Sequence, residues 1–277
     1  MSQSIRRRRI IALTVVGAVL AGGALVVGTI SGNATPTVVA STAPAPTSLP
    51  TPRQTTTVPS RPAPTDSQPP AAAPAFNRSA RSIDDPTSLW VVVDKARALN
   101  PVDYVPPDLV DVPVPYVWPP KLRAEASTAV VAMFAEFTAE TGLQFQSQSA
   151  YRSYSTQVDL YSKDVAQHGQ AVADTSTARP GTSEHQTGLA IDISALPGTC
   201  SLEPCFGSTG YGQWLAQNAW RFGFVLRYPA DKVPITGFGY EPWHFRYIGV
   251  DVSTGMHQTG VTTIEEFFGL PAAPEYR

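Results

Sequence analysis

Apolar and polar positions divide this 277-residue chain into three stretches of different character. Ile10–Ile30 carries no charged residue and follows four consecutive arginines, Arg6 to Arg9. At 1.5 Å rise per residue such a run makes roughly 31 Å of helix, enough for a ~30 Å hydrocarbon core. The flanking arginines predict that residues 1–30 form a cytoplasmic basic start and a transmembrane signal anchor, with the rest of the chain outside. A cleaved signal peptide, giving a secreted protein, is the alternative, although its apolar region normally spans only ~7–15 residues. The arginine run also resembles a twin-arginine export signal, which leaves the compartment unchanged. Residues 31–84 are dominated by Pro, Thr, Ala and Ser. They lack the apolar surface to offset ordering entropy, and a disordered linker is expected.

Order is expected to return near the β-branched and aromatic run Leu89–Val93. The prolines of Asn100–Pro107 then force extended or turn backbone. Between Leu122 and Thr141 apolar residues recur at three- and four-residue steps (Ala129, Val130, Met133, Phe134, Phe137), which predicts a helix stopped by Gly142. Leu143–Ser149 alternates like a strand. Ser155–Gln167 reads as a helix with Ser155 as N-cap and Gly169 as stop. Further elements are a helix over Tyr211–Ala219, strands over Phe224–Tyr228 and Trp243–Ile248, and a short helix over Thr263–Phe268. His168 then falls in a polar helix end and His257 in a polar tail, neither with a suggestive acidic partner. Helices and strands mix without βαβ alternation, so residues 85–277 are expected to form a single α+β domain.

Composition narrows the functional classes. With 15% charged residues and a net charge near −2, the chain offers no field for nucleic acid. Cys200 and Cys205 have no second pair to complete a structural metal site. In an extracytoplasmic domain they are expected to form a disulfide closing one short loop.

The candidate chemistry centres on Ser183–Asp192, Ser-Glu-His-Gln-Thr-Gly-Leu-Ala-Ile-Asp, and on Tyr240-Glu241-Pro242-Trp243-His244. His185, Asp192 and His244 supply three donors that suit tetrahedral zinc and leave one position for water. On a straight helix His185 and Asp192 would stand about 10.5 Å apart along the axis, and in a strand farther. They meet at one ion only if Gln186-Thr187-Gly188 turns the chain, with Gly188 free to take positive φ. Leu189–Ile191 then suits a buried strand presenting Asp192. Glu241 is placed to act as the base for a zinc-activated water, and Trp243 to wall the pocket. Arg152 has the planar fork that binds a carboxylate through paired hydrogen bonds.

In order along the chain, several blocks resemble the VanY-type zinc D-alanyl-D-alanine carboxypeptidases, which share a metallopeptidase fold with Hedgehog N-terminal domains. They are Asn100-Pro101 through Pro106, Ser149–Ser153 with Gln157, Arg179–Asp192, Arg227-Tyr228-Pro229, Ile235-Thr236-Gly237 and Tyr240–Gly249. The resemblance implies a Hedgehog/DD-peptidase-like domain with a small antiparallel sheet flanked by helices. It implies one Zn2+ on His185, Asp192 and His244, Glu241 as catalytic base, and Arg152 at the scissile carbonyl or the substrate carboxylate. Ser183, Gln157 and Tyr151 would line the substrate site, with peptidoglycan stem peptides as substrates. The loop of Cys200 and Cys205 lies outside the shared blocks and is expected to shape one wall of the cleft. The alternatives are L,D-carboxypeptidase or D,D-endo- or dipeptidase activity on the same site, and a non-catalytic wall-binding module.

Overall fold

The computed structural model describes residues 76–277. The expected transmembrane segment and most of the linker lie outside the described residues. Among the described residues, no helix is long and apolar enough to cross a membrane. Packed chain begins ahead of position 85. The Phe76 ring lies 5.5 Å from Trp90 and 5.4 Å from Phe267, and Ile83 O accepts from Val92 N at 2.9 Å.

Strands β1 (Leu109–Asp111) and β2 (Lys121–Arg123) pair as a short antiparallel ribbon leading into helix α1 (Ala124–Thr141). The predicted apolar face is the one that α1 buries, through Val130, Met133, Phe134 and Phe137, and Gly142 ends it at φ 72°. Strand β3 (Gln144–Ser149) follows, then helices α2 (Tyr154–His168) and α3 (Gln170–Ser176). The N-cap of α2 is Ser153, two residues ahead of the expected Ser155; its hydroxyl accepts from Thr156 N. A single 3₁₀ turn at Glu184–Thr187 leads into strand β4 (Ala190–Leu196). Helix α4 (Gly210–Asn218), strand β5 (Phe224–Leu226), the one-turn helix α5 (Val233–Thr236), strand β6 (His244–Tyr247), helix α6 (Val250–Thr259) and helix α7 (Ile264–Phe268) complete the chain.

Two expectations need correction. His257 lies on α6 rather than in a tail, stacked on Trp220 at 4.0 Å between ring centres. His168 has an acidic partner one helical turn back, Asp164, with Nδ1 and Oδ1 2.7 Å apart. The Leu89–Val93 run is buried but joins no sheet; the carbonyls of Leu89 and Val91 accept from Arg246 at 3.2 and 2.6 Å.

The main sheet is antiparallel with strand order β3-β4-β6-β5. Its two faces have opposite chemistry because side chains alternate along each strand. Ile191, Ile193 and Ala195 share one face with their partners, and Phe145, opposite Ala195, stacks on Phe137 of α1 at 3.8 Å. This is the core. On the other face Asp192 lies directly opposite His244, and Ala190 opposite Arg246. One register therefore buries the hydrophobic layer and gathers the chemistry behind it.

Gly188 closes the turn before β4 at φ 66°, and its carbonyl accepts from Arg123 N at 2.9 Å. A Cβ there would stand 2.8 Å from Leu109 Cδ2 and 3.1 Å from Arg123 Cγ. Gly188→Ala combines left-handed strain of about 1–2 kcal/mol with that crowding. Urea unfolding is expected to show a loss at least of that order; unchanged stability would mean the turn tolerates a side chain.

Candidate active site

The turn at Glu184–Thr187 brings His185 over the strand that carries Asp192. His185 Nε2 lies 3.3 Å from Asp192 Oδ2, and His244 Nδ1 lies 3.1 Å from Asp192 Oδ1. The two imidazoles meet edge to face with ring centres 4.9 Å apart. One donor atom from each of His185, Asp192 and His244 lies within 4.8 Å of the others, and all three residues are buried. Two imidazoles and a carboxylate converging in this way suit a divalent metal with an open position. His185 is oriented by its other nitrogen, Nδ1, 2.7 Å from Ala150 O, which turns Nε2 toward the cluster.

Glu241 stands in the turn ahead of β6. Its backbone N–H donates to Tyr228 O at 3.2 Å, and its carbonyl accepts from His244 N at 3.1 Å. The turn brings Glu241 Oε2 to 3.9 Å from His244 Nδ1, although a regular strand would aim the two side chains apart. Glu241 is adjacent to the metal-ligand cluster without belonging to it.

Burial and neighbouring charge act on these groups in opposite directions. For Asp192 burial pushes upward, but His185 and His244 outweigh it and hold the carboxyl well below its usual range. For His244 burial pushes downward, while hydrogen bonds to Asp192 and Glu184 lift it to about 9. Burial raises Glu241 to about 8, with His244 opposing and Asp192 adding. Desolvation lowers Arg152, against the pull of Asp192 and Glu241. Of these two carboxyls, burial therefore favours the protonated form of Glu241, while the imidazoles beside Asp192 keep it ionised.

The cleft holds about 200 Å³ and is lined by Arg152, Gln157, Ser183, Glu241 and Trp243 around the ligand cluster. Arg152 N donates to His185 O at 3.2 Å, which ties the arginine to the ligand loop. Gln157 is buried; its Nε2 donates to Ala178 O at 2.6 Å, and its Oε1 has no partner among the described residues. A buried acceptor left open beside the cleft suits a ligand N–H. Tyr151 stands apart from this lining, and its backbone N–H bonds Lys121 O.

Sequence reasoning missed several parts of the site. Tyr228 and Phe238 line the cleft, with the Tyr228 ring centre 4.9 Å from those of His244 and Phe238. By contrast, the expected Cys200–Cys205 disulfide is present, and Leu202 between the cysteines lines the cleft, in line with a loop that shapes one wall. Glu184, Arg227, Arg246 and Glu265 form a buried charged cluster behind the ligands. Glu184, Arg227, Tyr228 and Arg246 stand inside the recognised blocks, which gave them no role in the site, while Phe238 and Glu265 lie outside those blocks.

Residues 119–250 match the family model described as VanY, D-alanyl-D-alanine carboxypeptidase. A putative carboxypeptidase of Bacillus subtilis, YodJ, is 38% identical over 192 residues, which is 68% of this chain and 69% of that protein. The chain belongs to the VanY carboxypeptidase family. Among solved structures, the LdcB LD-carboxypeptidase superposes with a TM-score of 0.61 at 37% identity, covering 66% of this chain and 87% of that one. A VanY D,D-pentapeptidase from a VanB-type resistance cassette, determined in complex with Zn(II), gives 0.55 at 31% identity, covering 65% and 98%. As a VanY-family member the chain is a carboxypeptidase, a hydrolase acting on peptidoglycan. The mixed fold with its small antiparallel sheet is the one shared with these structures.

Proposed function

We propose that this VanY-family carboxypeptidase is zinc-dependent and removes the C-terminal D-alanine from D-alanyl-D-alanine stem peptides of peptidoglycan. The observation that carries the reading is the convergence of His185, Asp192 and His244 within 4.8 Å, with Glu241 beside them in one cleft. Zinc bound to these residues would polarise a carbonyl, lower the pKa of water toward ~7 and, as a dication, draw Glu241 toward its ionised form. Glu241 takes the proton of the attacking water and returns it to the leaving amine. Arg152 holds the free terminal carboxylate or the developing oxyanion, which restricts cleavage to a chain end. Gln157 Oε1 and the Ser183 hydroxyl offer polar contacts to the peptide backbone, and Trp243, Tyr228 and Phe238 exclude water.

Similarity to the LdcB LD-carboxypeptidase favours a second reading, removal of a D-residue from an L-configured neighbour. Products from tripeptide, tetrapeptide and pentapeptide stems, resolved by mass spectrometry, separate the two. Release of one D-alanine from the pentapeptide alone supports the first reading, and conversion of tetrapeptide to tripeptide supports the second. Release of a dipeptide marks a dipeptidase. No cleavage of any stem by the zinc-loaded protein leaves a wall-binding module. The enzyme is further proposed to act outside the cytoplasmic membrane, tethered by residues 1–30 or secreted. The Cys200–Cys205 bond supports this placement, because disulfides persist in oxidising compartments.

A further inference from the structure

A group of charges behind the ligand face takes no part in the chemistry above. Strand alternation puts His244 and Arg246 on the same face of β6, with Arg227 just past the end of β5. All converge on Glu184. Its Oε1 accepts from Arg227 Nε at 2.8 Å and from Arg246 Nη1 at 2.9 Å, while its Oε2 lies 3.3 Å from His244 Nε2. Arg227 also donates to both oxygens of Glu265, at 3.0 and 2.6 Å. The four side chains are at most 1% exposed, so water does not compete for these bonds.

His244 therefore meets a carboxylate at each ring nitrogen, Asp192 at Nδ1 and Glu184 at Nε2. An imidazole that gives one nitrogen's lone pair to a metal is neutral and keeps a single N–H on the other nitrogen, and a carboxylate can only accept. We propose that Glu184 is a positioning residue that fixes the Nε2–H tautomer of His244, leaving the Nδ1 lone pair for the metal beside Asp192 and His185. Arg227 and Arg246 immobilise the carboxylate from its other oxygen. His185 is set by the same logic with a backbone carbonyl, Ala150 O, in the orienting role. Glu184 differs in being a side chain, so the device can be tested by substitution. The inference rests on the metal-site reading above.

Glu184→Gln preserves shape. Its amide oxygen can still accept from the arginines, which turns the NH2 toward His244 Nε2. Nε2 must then accept, and the ring proton moves to Nδ1, where it blocks ligation. Chelator competition on the metal-depleted proteins is expected to show zinc affinity about 10–100-fold weaker in the variant, as for other partners that orient a ligand. Long-range 15N correlation spectra of the zinc-loaded parent are expected to place the His244 proton on Nε2. A folded Glu184→Gln protein that binds zinc within about threefold of the parent would reduce Glu184 to a counter-ion and overturn the proposal. So would a loaded parent with the proton on Nδ1, a result that stands even if the variant does not fold. A parent that takes up no zinc overturns the metal-site reading and this inference with it. A parent that binds zinc while the variant keeps its affinity overturns this inference alone.

Discussion

Glu241→Ala is expected to lower turnover of the preferred stem peptide by at least ~10²-fold, toward ~10⁴-fold, with zinc still bound. Both halves follow from geometry. The carboxylate oxygen lies 3.9 Å from His244 Nδ1, at the ligand cluster but outside the three converging donors. Removing it takes away a proton acceptor and leaves the metal ligands in place. Burial raises this carboxyl to about 8 without a metal, and a dication on the neighbouring ligands would draw it back down, so that it could take a proton and return it near neutral pH. Glu241→Gln is the stricter variant, because it keeps the side chain's size and removes only its basicity. The checks are product quantification by mass spectrometry and metal content of the purified variant. Turnover within about threefold of the parent would assign the base elsewhere. Loss of zinc along with activity would make Glu241 a ligand instead.

Much of the site was legible in the sequence for a local reason. His185, Asp192, Glu241 and His244 stand in short motifs whose residue types state their chemistry, and Gly188 marks the turn that the first motif requires. The long helix α1 was legible because its buried residues recur at helical spacing over many turns. Helix α6 was not. It contains Val250, Val252, Thr254, Gly255 and Thr259, all modest or poor helix formers. It exists because Val252 and Met256 pack into the core, a tertiary effect that propensity does not register. Strands β1 and β2, three residues each, are too short to show a period. The pairing of Asp192 with His244 is a register between segments about fifty residues apart, and no local pattern encodes it.

The charged cluster was hidden for a different reason. Charged residues are solvated by default, and Arg227, Arg246 and Glu265 show no spacing that marks them as partners. Only the fold reveals that Glu184 lies between two guanidiniums. Burial alone would raise its carboxyl, but Arg227 and Arg246, with help from His244, hold it well below the usual range. The cluster pairs two carboxylates with two guanidiniums, so its side chains are neutral as a set. Ordered backbone completes it, since Arg246 also donates to Leu89 O and Val91 O. The Leu89–Val93 segment is held here by an arginine of the active-site sheet.

Arg227→Ala is expected to be the most destabilising single change in this cluster. Arg227 bridges Glu184 and Glu265, both with fully buried side chains, so its loss strands the Glu265 carboxylate where water cannot reach it and leaves Glu184 with Arg246 as its one guanidinium. Breaking a buried pair by removing one partner typically costs about 3–5 kcal/mol, because the remaining charge keeps its desolvation penalty without compensation. Exposed pairs such as Lys121–Asp111 are worth about 0–1 kcal/mol, and Lys121→Ala serves as the control. For a domain of this size each kcal/mol shifts Tm by roughly 2–4 °C, so a fall of about 6–20 °C is predicted for Arg227→Ala and little for Lys121→Ala. Scans with excess chelator remove the metal's contribution to the folded state, and the gap between the two variants should persist there. A double variant, Arg227→Met with Glu265→Leu, removes one charge of each sign and leaves Glu184 paired with Arg246. Recovery of part of the lost Tm would locate the penalty in the stranded Glu265 carboxylate. No recovery, with Arg227→Ala itself near the parent Tm, would show that the cluster tolerates an unpaired charge and that its burial does not govern stability.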